Sequence, residues 1–570
     1  MRLKQLLIVF VLSVTAITVL TKVNNTQGGV IYGDGRGYYA YLPSFFIYGN
    51  LSFKESAKAE FKSATNNPSY LHKNQHGSVF NKYYPGVAIM QIPFFWLAQV
   101  HCVVLNIADD GYNWVHDFWI RVGYFFYTLL GSFLLYLVLG YFSAAKWTRI
   151  TTVVLLGAGS VLLYNAFKTP SFSHGISFFL ICLFCLQFLK TLRAPRAINF
   201  ILIGLILGLI VLVRPINILV LFALPIFLET RQRIKLFFSI CKEKWRYLIL
   251  SIIFFLIVIS VLFLINFIQT GFLLNWSYKG EGFNFFKPHV LQLWFSFRIG
   301  FFTHLPFFFL FITGLFFLKN KRLLFSILLY FLILSYVFSC WWCWDYGGSF
   351  GNRVFVDHYF VFTIPILFVI EKIWRNKLWM FVPISLCIFN GIRLYQIHNQ
   401  IIMNRFTPSN YFKSLGLINK KYKRAFVFTE EFGLFNKAKN TRVLLDKKEE
   451  VDFGANKLFG LEANYKLNDS AEDFYLEVDL EKKRSNYGDY RDVFLVVDGR
   501  NEKGETEVYK SYPLYNYCFE GEKEFVALRI KQILMYEMSS VKSLKIYIWN
   551  KSKQNFIVKN AKIKLTPYMY

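Results

Sequence analysis

The chain contains the uncharged stretch Tyr247-Leu-Ile-Leu-Ser-Ile-Ile-Phe-Phe-Leu-Ile-Val-Ile-Ser-Val-Leu-Phe-Leu-Ile-Asn-Phe-Ile268. It is as long as the roughly 20 residues that an α-helix needs to cross a bilayer. Similar apolar stretches recur until about residue 398, and hydrophobic residues make up 55% of the chain. Because only helices suit spans of this length and spacing, the sequence predicts a polytopic α-helical membrane protein.

Basic residues recur between the apolar stretches and predict the orientation. The chain has 64 Lys and Arg against 35 Asp and Glu. In a membrane protein such an excess gathers in cytoplasmic loops, so it requires no nucleic-acid ligand. With all basic clusters on one face, we predict about eleven spans, a cytoplasmic N-terminus and an extracytoplasmic C-terminus. The predicted spans are 5–21, 119–141, 150–165, 175–190, 198–213, 215–229, 247–268, 303–318, 323–339, 358–371 and 378–398.

Two segments need separate interpretation. Residues 198–229 are too long for one span, so we predict two short spans that meet at Arg214-Pro215. Arg214 then lies at the outer interface, which avoids the cost of a mid-membrane arginine. Residues 87–106 are predicted to lie on the outer surface, or to dip in and return, with an interruption at Pro93. The alternative topology turns the N-terminus outward, lets 87–106 cross and places 22–86 in the cytoplasm.

The pattern changes beyond about residue 400. Residues 474–481 and 544–548 alternate apolar and polar, as half-buried strands do. We therefore predict a membrane domain over 1–400, with 22–118 as its first outer loop. A linker over 401–440 and an extracytoplasmic β-sandwich domain over 441–570 follow it.

The sequence Gly33-Asp34-Gly35-Arg36-Gly37-Tyr38-Tyr39 follows the first apolar stretch. Glycines on both sides of Asp34 tolerate positive φ and let the backbone approach a substrate closely. We interpret Asp34 as a catalytic general base that accepts the proton of an acceptor hydroxyl. Tyr38 and Tyr39 are interpreted as sugar- or acceptor-binding residues. The alternative is an ordinary turn that closes a loop.

Four basic side chains in the predicted outer regions are interpreted as ligands of a donor phosphate. An arginine where two short helices meet suits bidentate contact with phosphate, and an interfacial lysine can pair with a lipid phosphate. The alternatives are a snorkelling lysine, a helix-capping histidine and an arginine that only sets topology. The four residues are Lys82, His174, Arg214 and Arg353.

The outer loop over residues 340–357 combines tryptophan, glycine and charge. Trp344 and Asp345 are interpreted as sugar- or acceptor-binding residues, because tryptophan stacks on sugar rings. Asp345 and Asp357 are also alternative partners for Arg353. The 270–302 loop contains four further candidates that belong to no pattern and are not assigned a role: Lys279, Glu281, Lys287 and His289.

The sequence assigns no metal ligand and no certain cofactor. A divalent cation stays an open alternative. The sequence Asp109-Asp110-Gly111-Tyr112 is compatible with such a cation, but we interpret it as a turn before the next span.

Asp34 after the first span, Tyr-Pro-Gly before the 87–106 segment, Arg214-Pro215 and the loop at 344–353 together resemble the GT-C superfamily of integral-membrane glycosyltransferases. The closer resemblance is to the branch of protein O-mannosyltransferases and lipid A aminoarabinose transferases, over about residues 1–400. It implies a polyprenyl-phosphate-linked sugar donor and inverting displacement at the anomeric carbon, with Asp34 as the catalytic aspartate. Gly35 stands where many relatives carry a second acid, which puts metal dependence in doubt. By strand pattern alone, the C-terminal region resembles carbohydrate-binding or jelly-roll modules.

These observations predict a glycosyltransferase of the bacterial inner membrane, with its site at the outer face. It would transfer a hexosyl or pentosyl group to an envelope glycan, lipid or protein, and its partners would be the donor, membrane lipid and that acceptor. Two alternatives stay open. One is a transporter or flippase for lipid-linked sugars, and the other is a non-catalytic envelope protein whose β domain binds glycans.

Overall fold

The structure is a computed structural model. The chain divides into two compact units. The first unit comprises Met1–Ser296 and Gly300–Gly391, and the second comprises Phe297–Ile299 and Ile392–Tyr570. Most of the predicted linker lies outside the described residues. The structure describes residues 3–568 except 25–28, 62–69, 75–76, 276, 279–280, 347–349, 375, 400, 403–410, 413, 420–441, 454–456, 468–472, 485–492, 515–525, 535–540, 552 and 554–555.

The described part of the chain up to residue 398 is mainly helical. Its one sheet among the described residues is the hairpin β1 (Leu71–Lys73) and β2 (Val79–Asn81). The 3-10 helices are Pro215–Phe227, which has 13 residues, and the shorter Pro306–Phe308, Arg353–His358 and Lys377–Met380. The α-helices are α1 (Leu3–Asn24), α2 (Asp34–Tyr39), α3 (Tyr41–Phe46), α4 (Lys54–Phe61), α5 (Gly86–Val104), α6 (Trp114–Leu139), α7 (Lys146–Gly159), α8 (Leu162–Lys168), α9 (His174–Arg193), α10 (Ala197–Val213), α11 (Arg231–Glu243), α12 (Trp245–Thr270), α13 (Val290–Phe295), α14 (Phe301–His304), α15 (Phe309–Leu315), α16 (Lys321–Ser339), α17 (Tyr359–Ile373) and α18 (Phe381–His398).

Among the described residues, seven helical segments are long and apolar enough to cross a membrane, or eight if the bent pair α7 and α8 forms one span. The chain is therefore a multi-pass membrane protein, as predicted. The predicted number of about eleven spans is not confirmed, because four apolar helices are shorter than a span, and proline begins two of them. The shorter helices are Gln5–Val19, Ala197–Val213, Pro215–Phe227 and Pro306–Leu315.

Helix α5 corrects one expectation about the 87–106 segment. The helix runs without a break through Pro93, so the predicted interruption there is wrong. Proline is tolerated inside apolar helices when packing and local adjustment compensate for its missing N–H, and the next residues, Phe94 and Phe95, are buried. The helix is long and apolar enough to cross a membrane. Its placement along the outer surface stays a prediction.

The helix break at Arg214-Pro215 is present where the sequence predicted it. Helix α10 ends at Val213, Arg214 has extended backbone angles, and a 3-10 helix begins at Pro215. Gly86, the first residue of α5, packs against the end of α10. A Cβ atom at position 86 would lie 2.3 Å from backbone atoms of Leu212 and Val213. This close approach brings the residues before α5 next to Arg214.

The second unit contains a β-sandwich. One sheet has the strand order β5-β10-β7-β8, and the other has β3-β11-β6-β9, with β4 paired to β11. Alternate residues of both sheets share one apolar core, including Val478, Val497, Ile546 and Ile563. All described strand pairs are antiparallel. The strands are β3 (Arg442–Lys447), β4 (Val451–Phe453), β5 (Phe459–Lys466), β6 (Asp473–Arg484), β7 (Val493–Arg500), β8 (Thr506–Pro513), β9 (Val526–Leu534), β10 (Ser543–Asn550) and β11 (Phe556–Tyr568).

Candidate active site

A cavity of about 300 Å³ lies within the first unit and collects residues that are far apart in the sequence. Its wall combines charged side chains with tyrosine and tryptophan rings. This volume is at the lower end of the range of small-molecule sites. The lining residues used below are Asp34, Tyr38, Lys82, Tyr83, His174, Arg214, Tyr278, Glu281, Trp341, Trp342 and Arg353.

Asp34 is the first residue of α2 and its side chain is 37% exposed, so the carboxylate is accessible from the cavity. Gly33 has φ 54°, a conformation that glycine adopts without strain. Gly35 allows α2 to pack against the loop before α9, because a Cβ atom there would lie 1.9 Å from Ser171 Oγ. The glycines therefore turn the chain and seat the helix that presents Asp34.

Both carboxylate oxygens of Asp34 have partners. Arg353 Nη2 lies 2.7 Å from Oδ2, and the Tyr83 hydroxyl donates to Oδ1 at 2.9 Å. Burial acts to raise the pKa of Asp34, but the Arg353 charge and the Tyr83 hydrogen bond outweigh it and hold the pKa below its ordinary value. Burial and the nearby Asp34 charge raise the pKa of Tyr83, so its hydroxyl remains a neutral donor.

The cavity contains two further cations, each paired with an acid. Lys82 forms an ion pair with Glu281, and Arg214 Nη1 lies 3.1 Å from Asp357 Oδ2. Together with the Arg353 pair, three cations and three carboxylates balance in charge when His174 is neutral. An incoming phosphate must therefore compete with a carboxylate for a cation or use N–H groups that the pairs leave available.

Arg214 offers such N–H groups. In the described part of the chain only Nη1 is used: it donates to Asp357 Oδ2 at 3.1 Å and lies 3.0 Å from His174 Nδ1. The guanidinium lines the cavity and is 15% exposed. Because a guanidinium carries five N–H donors in a planar fork, a second edge remains available for a phosphate.

Asp357, the acidic partner of Arg214, is fully buried. Its carboxylate accepts hydrogen bonds from His174 Nδ1 at 2.7 Å and Asn217 Nδ2 at 2.8 Å, in addition to Arg214. Since an ionised carboxylate can only accept, His174 carries its proton on Nδ1 in this arrangement. Asn217 Oδ1 in turn lies 3.2 Å from His358 Nε2. The network joins the ends of α9 and α10 to the start of α17.

Aromatic rings form the remaining wall of the cavity. The Tyr38 and Tyr83 ring centroids are 4.8 Å apart, and Lys82 Nζ lies 5.1 Å from the ring centroid of Tyr278. Trp341 and Trp342 line the cavity from the turn after α16. Such rings offer apolar faces with polar tips at the edge, which suits a sugar.

Neither a protein-family model nor a curated protein matches the sequence. The solved structures that match include two with probability 1.00. ArnT from Cupriavidus metallidurans bound to undecaprenyl phosphate is 13% identical, with a TM-score of 0.40, and the match covers 73% of this chain and 70% of that one. Arabinosyltransferase EmbB from Mycobacterium smegmatis is 9% identical, with a TM-score of 0.33, and the match covers 98% of this chain and 67% of that one. At TM-scores below 0.5, the chemistry rests on the geometry of this chain alone.

The structure brings most of the predicted site residues into one cavity. Asp34 and the four predicted phosphate ligands all line it, although they come from five separate segments. Tyr38 lines it too. Arg353 pairs with Asp34, whereas the sequence suggested Asp345 or Asp357 as its partner. Asp357 is committed instead to Arg214 and His174.

Three predicted sugar-binding residues are not in the cavity wall. Tyr39 is buried and donates its hydroxyl proton to the Gly111 carbonyl at 2.5 Å. Its side chain leaves α2 about 100° around the helix axis from that of Tyr38. Trp344 stacks on His289 with ring centroids 5.7 Å apart. Asp345 is buried and accepts from Cys343 Sγ at 3.0 Å. In the same turn, Trp341 and Trp342 reach the cavity in their place.

The sequence interpretation gave no site role to Glu281, Tyr278 or Asn217. Glu281 and Tyr278 come from a loop without a recognisable motif, so no signal in the sequence singles them out. Asn217 follows Arg214-Pro215 by two residues, and that proximity was an available clue.

Proposed function

We propose that this protein is an integral-membrane glycosyltransferase that moves a sugar from a polyprenyl-phosphate-linked donor to an acceptor hydroxyl. The observation that supports it most is the cavity in which one accessible carboxylate, Asp34, lies against Arg353 and shares a wall with Arg214. A base and two phosphate-binding arginines are the groups that displacement of a sugar phosphate requires. We further propose that the cavity opens to the outer face of the bacterial inner membrane.

Binding of the donor is the first step. The free edge of Arg214 takes the donor phosphate, and Arg353 turns from Asp34 to the same phosphate. Lys82 supplies a third positive charge from the cavity wall. The sugar then lies against the tyrosine and tryptophan rings, and the isoprenoid tail extends among the apolar helices.

Transfer follows from this exchange of partners. Once Arg353 contacts phosphate, the interaction that keeps the pKa of Asp34 low is weakened, and the carboxylate becomes a better base. Asp34 accepts the acceptor hydroxyl proton as that oxygen bonds to the anomeric carbon. The bond from this carbon to the phosphate oxygen breaks with inversion, and the polyprenyl phosphate leaves with the electron pair. The arginines stabilise the charge that develops on it.

A flippase is the less supported alternative. Transport requires ionisable residues along a path through the membrane. Three of the buried ionisable residues, His174, Asp357 and His358, instead lie in one cluster with Arg214, at the ends of their helices. One cluster beside one cavity suits a reaction site better than a path.

The test is transfer from a labelled polyprenyl-phosphate sugar by the full-length protein in lipid nanodiscs. The donor and acceptor panel includes hexosyl and pentosyl donors with glycan, lipid and protein acceptors. Asp34→Asn should lower transfer by about 10²–10⁴-fold, because the base is removed. Arg214→Ala should weaken donor binding by about 10–100-fold, because one charge-assisted contact is lost.

Asp452→Asn, an exposed carboxylate of β4 in the other unit, is the matched control and should leave both quantities unchanged. A folded Asp34→Asn variant with full transfer would exclude the proposed base. Donor binding that is equal in wild type and Arg214→Ala would exclude the phosphate site.

A further inference from the structure

A second cluster of reactive side chains lies in the first unit, outside the residues that line the cavity. The thiol of Cys102, the carboxylate of Asp109 and a ring nitrogen of His116 have ligand atoms within 4.8 Å of one another. The Cys102 and His116 side chains are buried, and that of Asp109 is 25% exposed. We propose that these three residues bind a divalent metal ion of the zinc class.

The local fold presents the three groups from three segments. Cys102 is in the last turn of α5, Asp109 is in the connection that follows, and His116 is in the first turn of α6. His116 Nε2 lies 2.7 Å from Asp109 Oδ1, and the His116 ring packs on Phe95 with ring centroids 4.9 Å apart. The cluster therefore closes the connection between the two helices.

The set of donor atoms suits zinc. Thiolate, imidazole and carboxylate are its usual protein ligands, at about 2.0–2.3 Å, so tetrahedral ligand atoms lie roughly 3.3–3.8 Å apart. The observed cluster reaches this geometry with side-chain movements of about 1 Å. Because His116 Nδ1 is buried without a hydrogen-bond partner in the described part of the chain, such a movement breaks no hydrogen bond at that atom.

The fourth coordination position is left to water. Asn113 is a further polar side chain beside the thiol, and its Nδ2 lies 3.4 Å from Cys102 Sγ. Its Oδ1, however, already accepts from the backbone N–H groups of Val115 and His116 and caps α6. The partial exposure of Asp109 gives solvent access to the site. Three protein ligands and one water complete a tetrahedron.

The metal would stabilise the connection between α5 and α6, which in turn holds α2, the helix that begins with Asp34. It would take no part in transfer. Gly111, two residues after Asp109, accepts the hydrogen bond of Tyr39 at the end of α2. Fixing the connection between α5 and α6 thus fixes the far end of the helix that begins with Asp34. The turn that the sequence suggested is present as well, since Asp109 Oδ1 also accepts from the Gly111 N–H at 3.0 Å.

Cobalt binding to the chelator-treated, full-length wild-type protein tests the proposal without any transfer assay. We expect binding of about one Co²⁺ per chain, a thiolate-to-cobalt charge-transfer band in the near ultraviolet, and displacement of the ion by Zn²⁺. Cys102→Ser should abolish the band, and His116→Gln and Asp109→Asn should weaken binding by at least about tenfold. Cys241→Ser, a thiol in α11, is the control and should keep the band.

The wild-type titration is decisive even if a variant fails to fold. If folded wild-type protein binds no Co²⁺ or Zn²⁺, the three residues form a hydrogen-bonded clasp only, and the proposal is overturned. A cobalt band that persists in Cys102→Ser would overturn the ligand assignment. Loss of transfer without loss of metal, or the reverse, separates this site from the proposed enzyme.

Discussion

The carboxylate of Asp34 and the guanidinium of Arg353 form an ion pair with a nitrogen–oxygen distance of 2.7 Å, although 319 positions separate them in the sequence. The pair couples a proposed base to a proposed phosphate ligand. While Arg353 holds the carboxylate, the base is weak. When Arg353 contacts phosphate, the base is strengthened at the moment when the donor is in place.

This coupling predicts the pH dependence of transfer. Because the pKa of Asp34 is lowered in the free protein, Asp34 should stay ionised below the usual aspartate pKa of about 3.9. The acidic limb of the kcat/KM profile, where the base becomes protonated, should therefore lie below that pH. Arg353→Gln removes the lowering charge and leaves the burial that raises the pKa. The acidic limb of the kcat/KM profile should therefore move to higher pH in Arg353→Gln.

Lys82→Gln is the control for this shift. It also removes a cation of the cavity, but Lys82 pairs with Glu281 and does not contact Asp34 in the structure. We expect lower donor affinity with little change in the acidic limb. Equal acidic limbs in wild type and Arg353→Gln would show that Asp34 is not the titrating base.

Asp357 provides a second prediction, as a positioning residue that acts through Arg214. Asp357→Asn replaces an acceptor that faces three donors with a side chain that both donates and accepts, so at least one donor loses its partner. Arg214 is then buried without its charge partner, a change that typically costs about 3–5 kcal/mol. We expect lower stability, and donor affinity that falls about tenfold or more.

The ratio of the two kinetic effects separates positioning from general damage. In a membrane-embedded assay, KM for the donor should rise more than kcat falls, and Asp357→Glu should recover part of the loss because it keeps the charge. An Asp357→Asn variant with normal donor KM and reduced stability would reduce Asp357 to a structural role.

The membrane architecture followed from the sequence, whereas its details did not. Charge-free stretches such as that within α12 predict helices directly, since no other structure satisfies the backbone in lipid. The number of spans depended on weaker signals. Pro93 resembles a break in sequence but lies inside α5, because tertiary packing outweighs its local preference.

The candidate site was predictable only in part, for a similar reason. Asp34 and Arg214 are charged residues in short motifs next to apolar stretches, so the local sequence was enough to suggest them. Glu281 lies in the cavity wall through long-range folding alone. Trp341 lines the cavity and Trp344 does not, because of the orientation of one turn after α16. Both residues are tryptophan, so residue type could not distinguish them.

Gly86 provides a third prediction, on the close packing of α5 against α10. A Cβ atom at this position would lie 2.3 Å from the backbone of Leu212 and Val213, so Gly86→Ala must separate two helices beside Arg214. We expect the substitution to lower the free energy of unfolding by about 1–3 kcal/mol, which would appear as a lower Tm in detergent. We also expect weaker donor binding. Gly391→Ala in α18 is the control, because a Cβ atom there meets no neighbour, and alanine should stabilise that helix slightly. An unchanged Tm for Gly86→Ala would contradict this packing.

Glu60 provides the last prediction, on stability rather than transfer. Burial raises the pKa of Glu60 to about 7, and the opposing effects of Arg36 and the Tyr70 hydrogen bond are too weak to prevent this. The folded protein therefore binds more protons at Glu60 than the unfolded chain does between about pH 4.3 and pH 7. Its contribution to stability is largest at low pH and falls as the pH rises through that window.

Thermal unfolding of the wild type and Glu60→Gln as a function of pH measures this contribution. The substitution keeps the size of the side chain and removes its titration, so the stability of the variant should fall less steeply between those two pH values. Glu55→Gln, an exposed position in the same helix α4, should reproduce the wild-type slope. If Glu60→Gln and the wild type share one slope, Glu60 is ionised across the window, and the Arg36 ion pair at 2.9 Å dominates over burial.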